Sequence, residues 1–217
     1  MLNNDHMKKL FLTLFLLMLV ACGSDAPKHA AIVAGSTVLI LGDSLSYGTG
    51  ANFGENKGED YPTLLAKTTG WNIINEGVPG DTTAGGLTRL PALLEEHTPK
   101  LLIVELGGND LLHQTAPTEI TSNLKAILSA AKVQGIQTIL VAIPEISPLK
   151  ATFGNLSDHP LYEALAKETS TPLIADVFSD VLSDRALKAD QIHPSAQGYV
   201  EVGKKMGEKL KELGYLN

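Results

Sequence analysis

Two short polar clusters, one near each end of the chain, carry the residue types needed to open an acyl bond. The first, Gly42-Asp43-Ser44-Leu45-Ser46, follows the apolar run 37–41. A serine hydroxyl is a weak nucleophile until a base takes its proton, so chemistry at Ser44 requires an exposed turn and a nearby imidazole. The second cluster, Asp190-Gln191-Ile192-His193-Pro194, offers that imidazole. An Asp three residues before a His can reach the ring, fix its tautomer and stabilise the imidazolium. Each cluster alone also has a plain structural reading. Gly-Asp-Ser is common turn chemistry, Asp190 a surface carboxylate, and His193 a residue ahead of a helix started by Pro194. The G-x-S-x-G elbow of α/β-hydrolases does not fit, because Ser46 stands where its second glycine belongs.

Acyl transfer also needs donors for the negative oxygen of a tetrahedral intermediate, and losing one costs ~10²–10³ in rate. Gly80, in Val78-Pro79-Gly80-Asp81-Thr82, can offer its N–H, and Asn109, in Gly107-Gly108-Asn109-Asp110, its side-chain amide. Both are equally at home as turn residues that tolerate positive φ.

These clusters must be positioned by the elements between them. From residue 37 onward, short apolar runs alternate with helical patterns, the signature of βα units and a parallel sheet. Strands are predicted over 37–41, 71–75, 101–106, 137–143 and 172–175. Helices are predicted over 61–69, 84–96 (with Pro91 a kink risk), 117–133, 161–168 and 194–213, and 144–158 reads as a loop. In open α/β sheets ligands bind outside the carboxyl ends of the strands, which is where the Ser44, Gly80 and Asn109 clusters fall.

Taken in order, Gly42-Asp43-Ser44, Gly80, Gly108-Asn109-Asp110 and Asp190-x-x-His193 resemble the four blocks of the SGNH/GDSL hydrolases. The resemblance covers residues 38 to about 206. It is nearest the compact bacterial arylesterase, acyl-CoA thioesterase I and lysophospholipase L1 type, in stretches such as Ile40-Leu41-Gly42-Asp43-Ser44-Leu45-Ser46 and Val104-Glu105-Leu106-Gly107-Gly108-Asn109-Asp110. It implies a flavodoxin-like α/β/α sandwich with a parallel, roughly five-stranded sheet. It also implies Ser44 as nucleophile, His193 as base and Asp190 as orienting acid, with the Ser44 N–H, Gly80 N–H and Asn109 side chain as oxyanion hole. The expected substrates are carboxylic esters with aryl or short-to-medium acyl groups, with thioesters and lysophospholipids in range. No metal or organic cofactor is expected. The loop after the fourth strand departs from that subgroup, so its fatty-acyl preference does not carry over. Leu149, Phe153 and Leu156 there either line an apolar groove or pack the loop.

The N-terminus reads as a targeting segment. Lys8 and Lys9 precede the apolar run 10–21, whose twelve residues suit a signal core. Spanning a bilayer takes about 20. The run ends in Leu19-Val20-Ala21-Cys22, which resembles the lipobox of bacterial lipoproteins and implies cleavage before Cys22 and a lipid on its sulfur. The domain reading is thus a signal peptide over 1–21, a tether over 22–35 and one catalytic domain over 36–217, exported and held at a membrane. Cys22 is the sole cysteine, so no intramolecular disulfide forms. A formal net charge of -7 argues against a nucleic-acid partner, which needs clustered Lys and Arg to displace counterions.

Three other readings compete. A metal-dependent phosphoesterase would use Asp43, Asn109, Asp190 and His193 as ligands, leaving Ser44 idle. A binding module would keep the cleft without catalysis. A carbohydrate O-acetylesterase or acyltransferase would use the same triad on a sugar. Among the remaining polar residues, Asp43 and Asp110 are expected to accept backbone hydrogen bonds. Glu105, on an apolar strand, is expected to pair with Arg89, and His97, His113 and His159 are expected on exposed loops.

Overall fold

The computed structural model describes residues 29–51 and 58–216. Strands β1 (Thr37–Gly42), β2 (Asn72–Gly77), β3 (Leu101–Glu105), β4 (Gln137–Val141) and β5 (Leu173–Ile174) form one parallel sheet in the order β2-β1-β3-β4-β5. Helices α1 (Ser44–Tyr47), α2 (Tyr61–Thr69), α3 (Thr83–His97), α4 (Gly108–Leu112), α5 (Pro117–Val133), α6 (Pro148–Phe153), α7 (Leu161–Thr169), α8 (Val177–Ser183) and α9 (Ala196–Glu212) connect and follow them. The larger helices form two packed sets, α9 against α2 and α8, and α5 against α3 and α7. This is the expected α/β/α sandwich.

Burial explains why the apolar runs become strands. Val38, Leu39, Ile40 and Leu41 of β1 and Leu101, Leu102, Ile103 and Val104 of β3 are fully enclosed, as central strands of a parallel sheet covered on both faces must be. β2 lies at one edge and is more exposed. The order reverses between β1 and β3, so their carboxyl ends open a crevice at a topological switch point.

Several boundaries differ from the sequence expectation. The loop 144–158 contains α6, because Ser147 caps it and Pro148 suits its first turn. Helix α8 was not expected; Val177, Phe178, Val181 and Leu182 recur at helical spacing and are buried. Pro91 sits inside α3 without ending it. The last helix starts at Ala196 behind the Ser195 cap, while Pro194 pairs in an isolated bridge with Lys188. Of the three histidines expected on exposed loops only His113 is exposed. His97 ends α3, half-buried near Glu76, and half-buried His159 accepts a hydrogen bond from the Leu161 N–H.

The signal segment and Cys22 lie outside the described residues. The end of the stretch read as a tether is packed on the domain: Ile32 is buried, its N–H donates to the Tyr215 carbonyl at 3.0 Å, and its carbonyl accepts from Trp71 Nε1 at 3.0 Å. The packed body therefore starts ahead of residue 36. Among the described residues, no helix is long and apolar enough to cross a membrane.

Candidate active site

Strand β1 ends at Gly42, and the chain turns at once into the four-residue helix α1 with Ser44 at its first position. Asp43 caps that helix, Oδ1 accepting from the Leu45 N–H at 2.9 Å. Gly48 closes it in the left-handed conformation, φ 87°. Ser44 is left half-buried at the strand end.

The imidazole arrives from the far end of the sequence. Asp190 Oδ1 accepts from the N–H groups of Ile192 and His193, both at 2.8 Å, which curls 190–193 into a tight turn. The neighbouring chain is held by the Ser195 N–H on the Leu187 carbonyl at 2.8 Å. The Tyr199 hydroxyl donates to the Thr49 carbonyl at 3.0 Å, fastening α9 to the segment after α1. Gly50 passes so near the Pro194 carbonyl that a Cβ there would overlap it.

The result brings the two clusters together. His193 Nε2 lies 2.9 Å from Ser44 Oγ, and His193 Nδ1 lies 2.7 Å from Asp190 Oδ2. Burial alone would raise the Asp190 carboxyl, but the ring N–H of His193 and the two backbone N–H groups outweigh it and hold the acid below its ordinary range. It is therefore an acceptor at neutral pH, suited to keeping the Nδ1 proton in place and Nε2 free to face the serine.

The turn after β2 and the start of α4 complete the rim. Gly80 has φ 82°, a conformation glycine adopts without strain. Among the described residues, neither the Ser44 nor the Gly80 N–H has a hydrogen-bond partner. Asn109 Nδ2, in contrast, is engaged twice: with Asp43 Oδ2 at 3.1 Å and with the Asp81 carbonyl at 2.8 Å. It therefore links the ends of β1, β2 and β3, and it serves an oxyanion only by sharing or releasing one of these bonds. Asp110 accepts from the Thr83 N–H at 2.8 Å and from Thr83 Oγ1 at 2.6 Å, locking α4 to the start of α3.

The Glu105–Arg89 pair expected from the sequence does not form. Arg89 Nε donates to Asp81 Oδ2 at 2.8 Å, and its Nη2 to the Gly42 and Glu76 carbonyls at 3.1 and 2.7 Å. Glu105 is fully buried and bonds instead to Ser46, whose hydroxyl also meets Tyr61. Burial, then the Asp43 carboxyl, pushes the Glu105 acid well above its ordinary range. The Ser46 hydroxyl and the Ser46 and Asp43 N–H groups donate to its Oε2 and oppose that rise. Ser46 and Tyr61 carried no warning in the sequence beyond the lone acid on an apolar strand.

Beside Ser44 and His193 a cavity of about 140 Å³ opens, walled by Leu112, Ile143, Ile146, Leu156, Leu182 and Ile192. Of Leu149, Phe153 and Leu156, Leu156 lines the cavity, whereas Leu149 and Phe153 are exposed and do not. The outer wall is fixed by the Glu145 N–H on the Ser157 carbonyl at 2.9 Å and by an ion pair from Glu145 to Lys150. Of the residues of the metal-dependent alternative, Asp43 is paired with the Leu45 N–H and Asn109, and Asp190 with His193. Among the described residues no group of three His, Cys, Asp or Glu side chains is placed to hold a metal ion.

A parallel sheet in this order, with Ser44, His193 and Asp190 in one hydrogen-bonded chain beside an apolar cavity at its switch point, has the fold of the SGNH hydrolases. Residues 40–200 match the GDSL-like lipase/acylhydrolase family, and the chain belongs to it, a hydrolase acting on esters. The chain is 34% identical over 189 residues to the thioesterase 1/protease 1/lysophospholipase L1 of Escherichia coli strain K12, covering 83% of this chain and 86% of that one. The crystal structure of TesA superposes with a TM-score of 0.69 at 31% identity, covering 82% of this chain and 99% of that one. A more distant relative is the uncharacterized lipoprotein YqeF of Bacillus subtilis strain 168, 27% identical over 164 residues, 71% of this chain and 63% of that one.

Proposed function

We propose that the protein hydrolyses carboxylic esters of aryl or short-to-medium acyl groups through an acyl-enzyme on Ser44. His193 is the general base and Asp190 the residue that orients it. The observation that carries this reading is the Ser44 Oγ to His193 Nε2 approach of 2.9 Å at the mouth of an apolar cavity. A cavity near 150 Å³ lined by aliphatic residues holds a benzene ring, so the space beside Ser44 suits one aryl group or a few methylenes. Thioesters and lysophospholipids are substrates where their acyl end enters the same cavity.

In this reading Ser44 Oγ attacks the acyl carbon as its proton passes to His193 Nε2. The carbonyl π electrons move to oxygen, where the Ser44 and Gly80 N–H groups and the Asn109 amide donate to it. The carbon–oxygen bond to the leaving alcohol then breaks, and His193 returns the proton to that alcohol. Water attacks the acyl-serine by the same route in reverse, giving the acid and free Ser44. A sugar hydroxyl in place of that water turns the same residues to acyl transfer.

The test is hydrolysis of a p-nitrophenyl ester series from acetate to decanoate, with Ser44→Ala and a chelator as controls. The expected result is activity on the shorter esters, indifference to chelator and loss in Ser44→Ala. Activity kept by Ser44→Ala and removed by chelator would overturn the reading in favour of a metal-dependent phosphoesterase.

The proposal extends to location: a leader removed before Cys22 and a lipid on its sulfur, tethering the domain to a membrane after export. Its support is the Leu19-Val20-Ala21-Cys22 sequence and the similarity to a protein named as a lipoprotein. Labelled fatty acid should enter the wild type but not Cys22→Ser, and equal labelling of both would refute the anchor.

A further inference from the structure

Beneath the Ser44 turn lies a buried polar cluster that none of the reaction steps uses. Glu105, Ser46 and Tyr61 are fully enclosed, and none of them lines the cavity. Burying a carboxyl is costly unless its oxygens find partners, and here only Oε2 does while Oε1 has none among the described residues, so this acid on an apolar strand requires a reason. Its Oε2 lies 3.0 Å from the Ser46 N–H nitrogen, 2.6 Å from Ser46 Oγ and 3.4 Å from the Asp43 nitrogen. These donors stand on both sides of Ser44. Ser46 Oγ lies a further 2.7 Å from the Tyr61 hydroxyl, and the Ser46 carbonyl accepts from Asn75 Nδ2 at 2.8 Å.

The turn depends on such ties. Helix α1 has four residues, of which Leu45 and Ser46 are buried, and a helix that short does not hold itself in water. Its geometry is therefore imposed by the Asp43 and Gly48 caps and by contacts from beneath. The packing there is close: a Cβ on Gly42 would overlap Ser46 Oγ and press on Glu105 Oε2, and one on Gly77 would overlap the Tyr47 nitrogen. The Asp43–Asn109 bond meets the same turn from the other side.

We propose that Glu105 is a positioning residue for the nucleophile, acting through Ser46 and the Asp43 N–H to fix the direction of Ser44 Oγ and of the Ser44 N–H. The inference rests on the reading of Ser44 as nucleophile. It assigns to Glu105 no contact with substrate. A reacting group displaced by about 1 Å loses about 10²-fold in rate, so a loosened turn is read in kcat while the cavity walls, and with them KM, stay as they were.

The experiment measures kcat, KM and Tm with p-nitrophenyl butyrate for the wild type, Ser44→Ala, Glu105→Leu, Glu105→Gln and Ser46→Ala. Glu105→Leu, similar in size but without an acceptor, should lower kcat about 10- to 100-fold with KM within about two-fold. Glu105→Gln keeps a carbonyl for Ser46 and should return kcat to within about five-fold of wild type, a rescue that mere filling of space does not give. Ser46→Ala should fall between them. A folded Glu105→Leu with wild-type kcat, a loss carried by KM, or a Glu105→Gln no better than Glu105→Leu would each overturn the inference. If Glu105→Leu does not fold, Ser46→Ala decides: a several-fold loss in kcat at constant KM supports the role, and wild-type kcat removes it. Activity surviving in Ser44→Ala overturns the reading of the site itself, a result distinct from any of these.

Discussion

Asn109 donates to Asp43 Oδ2 at 3.1 Å, so the side chain proposed as an oxyanion donor is held by the residue that caps the Ser44 helix. Its second proton goes to the Asp81 carbonyl at 2.8 Å. The proposed oxyanion role requires one of these two bonds to be shared or released. Removing the amide takes away one proposed oxyanion donor together with its ties to Asp43 and to the Asp81 carbonyl. Asn109→Ala is expected to lower kcat about 10²- to 10³-fold with a smaller change in KM. Steady-state kinetics on a p-nitrophenyl ester check this, and a variant of wild-type kcat would remove Asn109 from the oxyanion hole.

Asp190 does two things with its two oxygens, holding the turn with one and the His193 ring with the other. Asp190→Asn keeps an acceptor for the backbone but can present an N–H to Nδ1, which drives the ring to the tautomer carrying its proton on Nε2. The Ser44 hydroxyl then has no base. The expected loss in kcat is about 10²- to 10⁴-fold, less than for removing Ser44 or His193 because hole and binding persist. Imidazole nitrogen shifts measured by NMR should show the tautomer change in the same variant, and an unaltered spectrum with unaltered rate would release Asp190 from this role.

Burial raises the Asp43 carboxyl most, the Leu45 N–H opposes it, and Asp81 and Asp110 add to it, bringing the group up to about 7. The folded protein therefore holds a proton there that the unfolded chain has already released above about pH 4. Folding stability should fall as pH rises through that window, by about 1.4 kcal/mol per unit for one proton, and level off above the folded value. Glu105, raised by burial, acts in the same direction. Urea unfolding of the wild type and Asp43→Asn between pH 5 and 8 tests the sign. The variant should show the shallower dependence, and parallel curves would place the Asp43 carboxyl in its ordinary range.

Leu112 stands at the rim of the cavity and is 41% exposed, so enlarging it disturbs little packing. Leu112→Trp should narrow the entrance. A pocket distinguishes one methylene by about 10- to 200-fold, so the hexanoate-to-acetate ratio of kcat/KM is expected to drop about 10-fold or more while acetate turnover holds. An unchanged ratio would mean that the acyl chain does not pass this wall.

How much of this was legible in the sequence depends on which interactions are local. The apolar runs of β1 and β3 and the helical spacing of α5 and α9 declare themselves, because burial on both faces of a sheet or on one face of a helix imposes a pattern along the chain itself. Asp190 and His193 stand three residues apart, close enough for a single turn to join them. Ser44, Gly80 and Asn109 were recognisable by residue type at strand ends, and the parallel order predicts that such ends gather at one rim. What the sequence left open is partnership across space. Arg89 looked like the mate of Glu105 on charge alone, yet Arg89 binds Asp81 and the carbonyls closing β1 and β2, and Glu105 binds Ser46. Which partner a buried polar group meets is set by strand register and by the helices laid over the sheet. Those depend on the packing of the whole chain, so the partners of Glu105 beneath Ser44, the engagement of Asn109 and the walls of the cavity beside Ser44 are decided only in three dimensions.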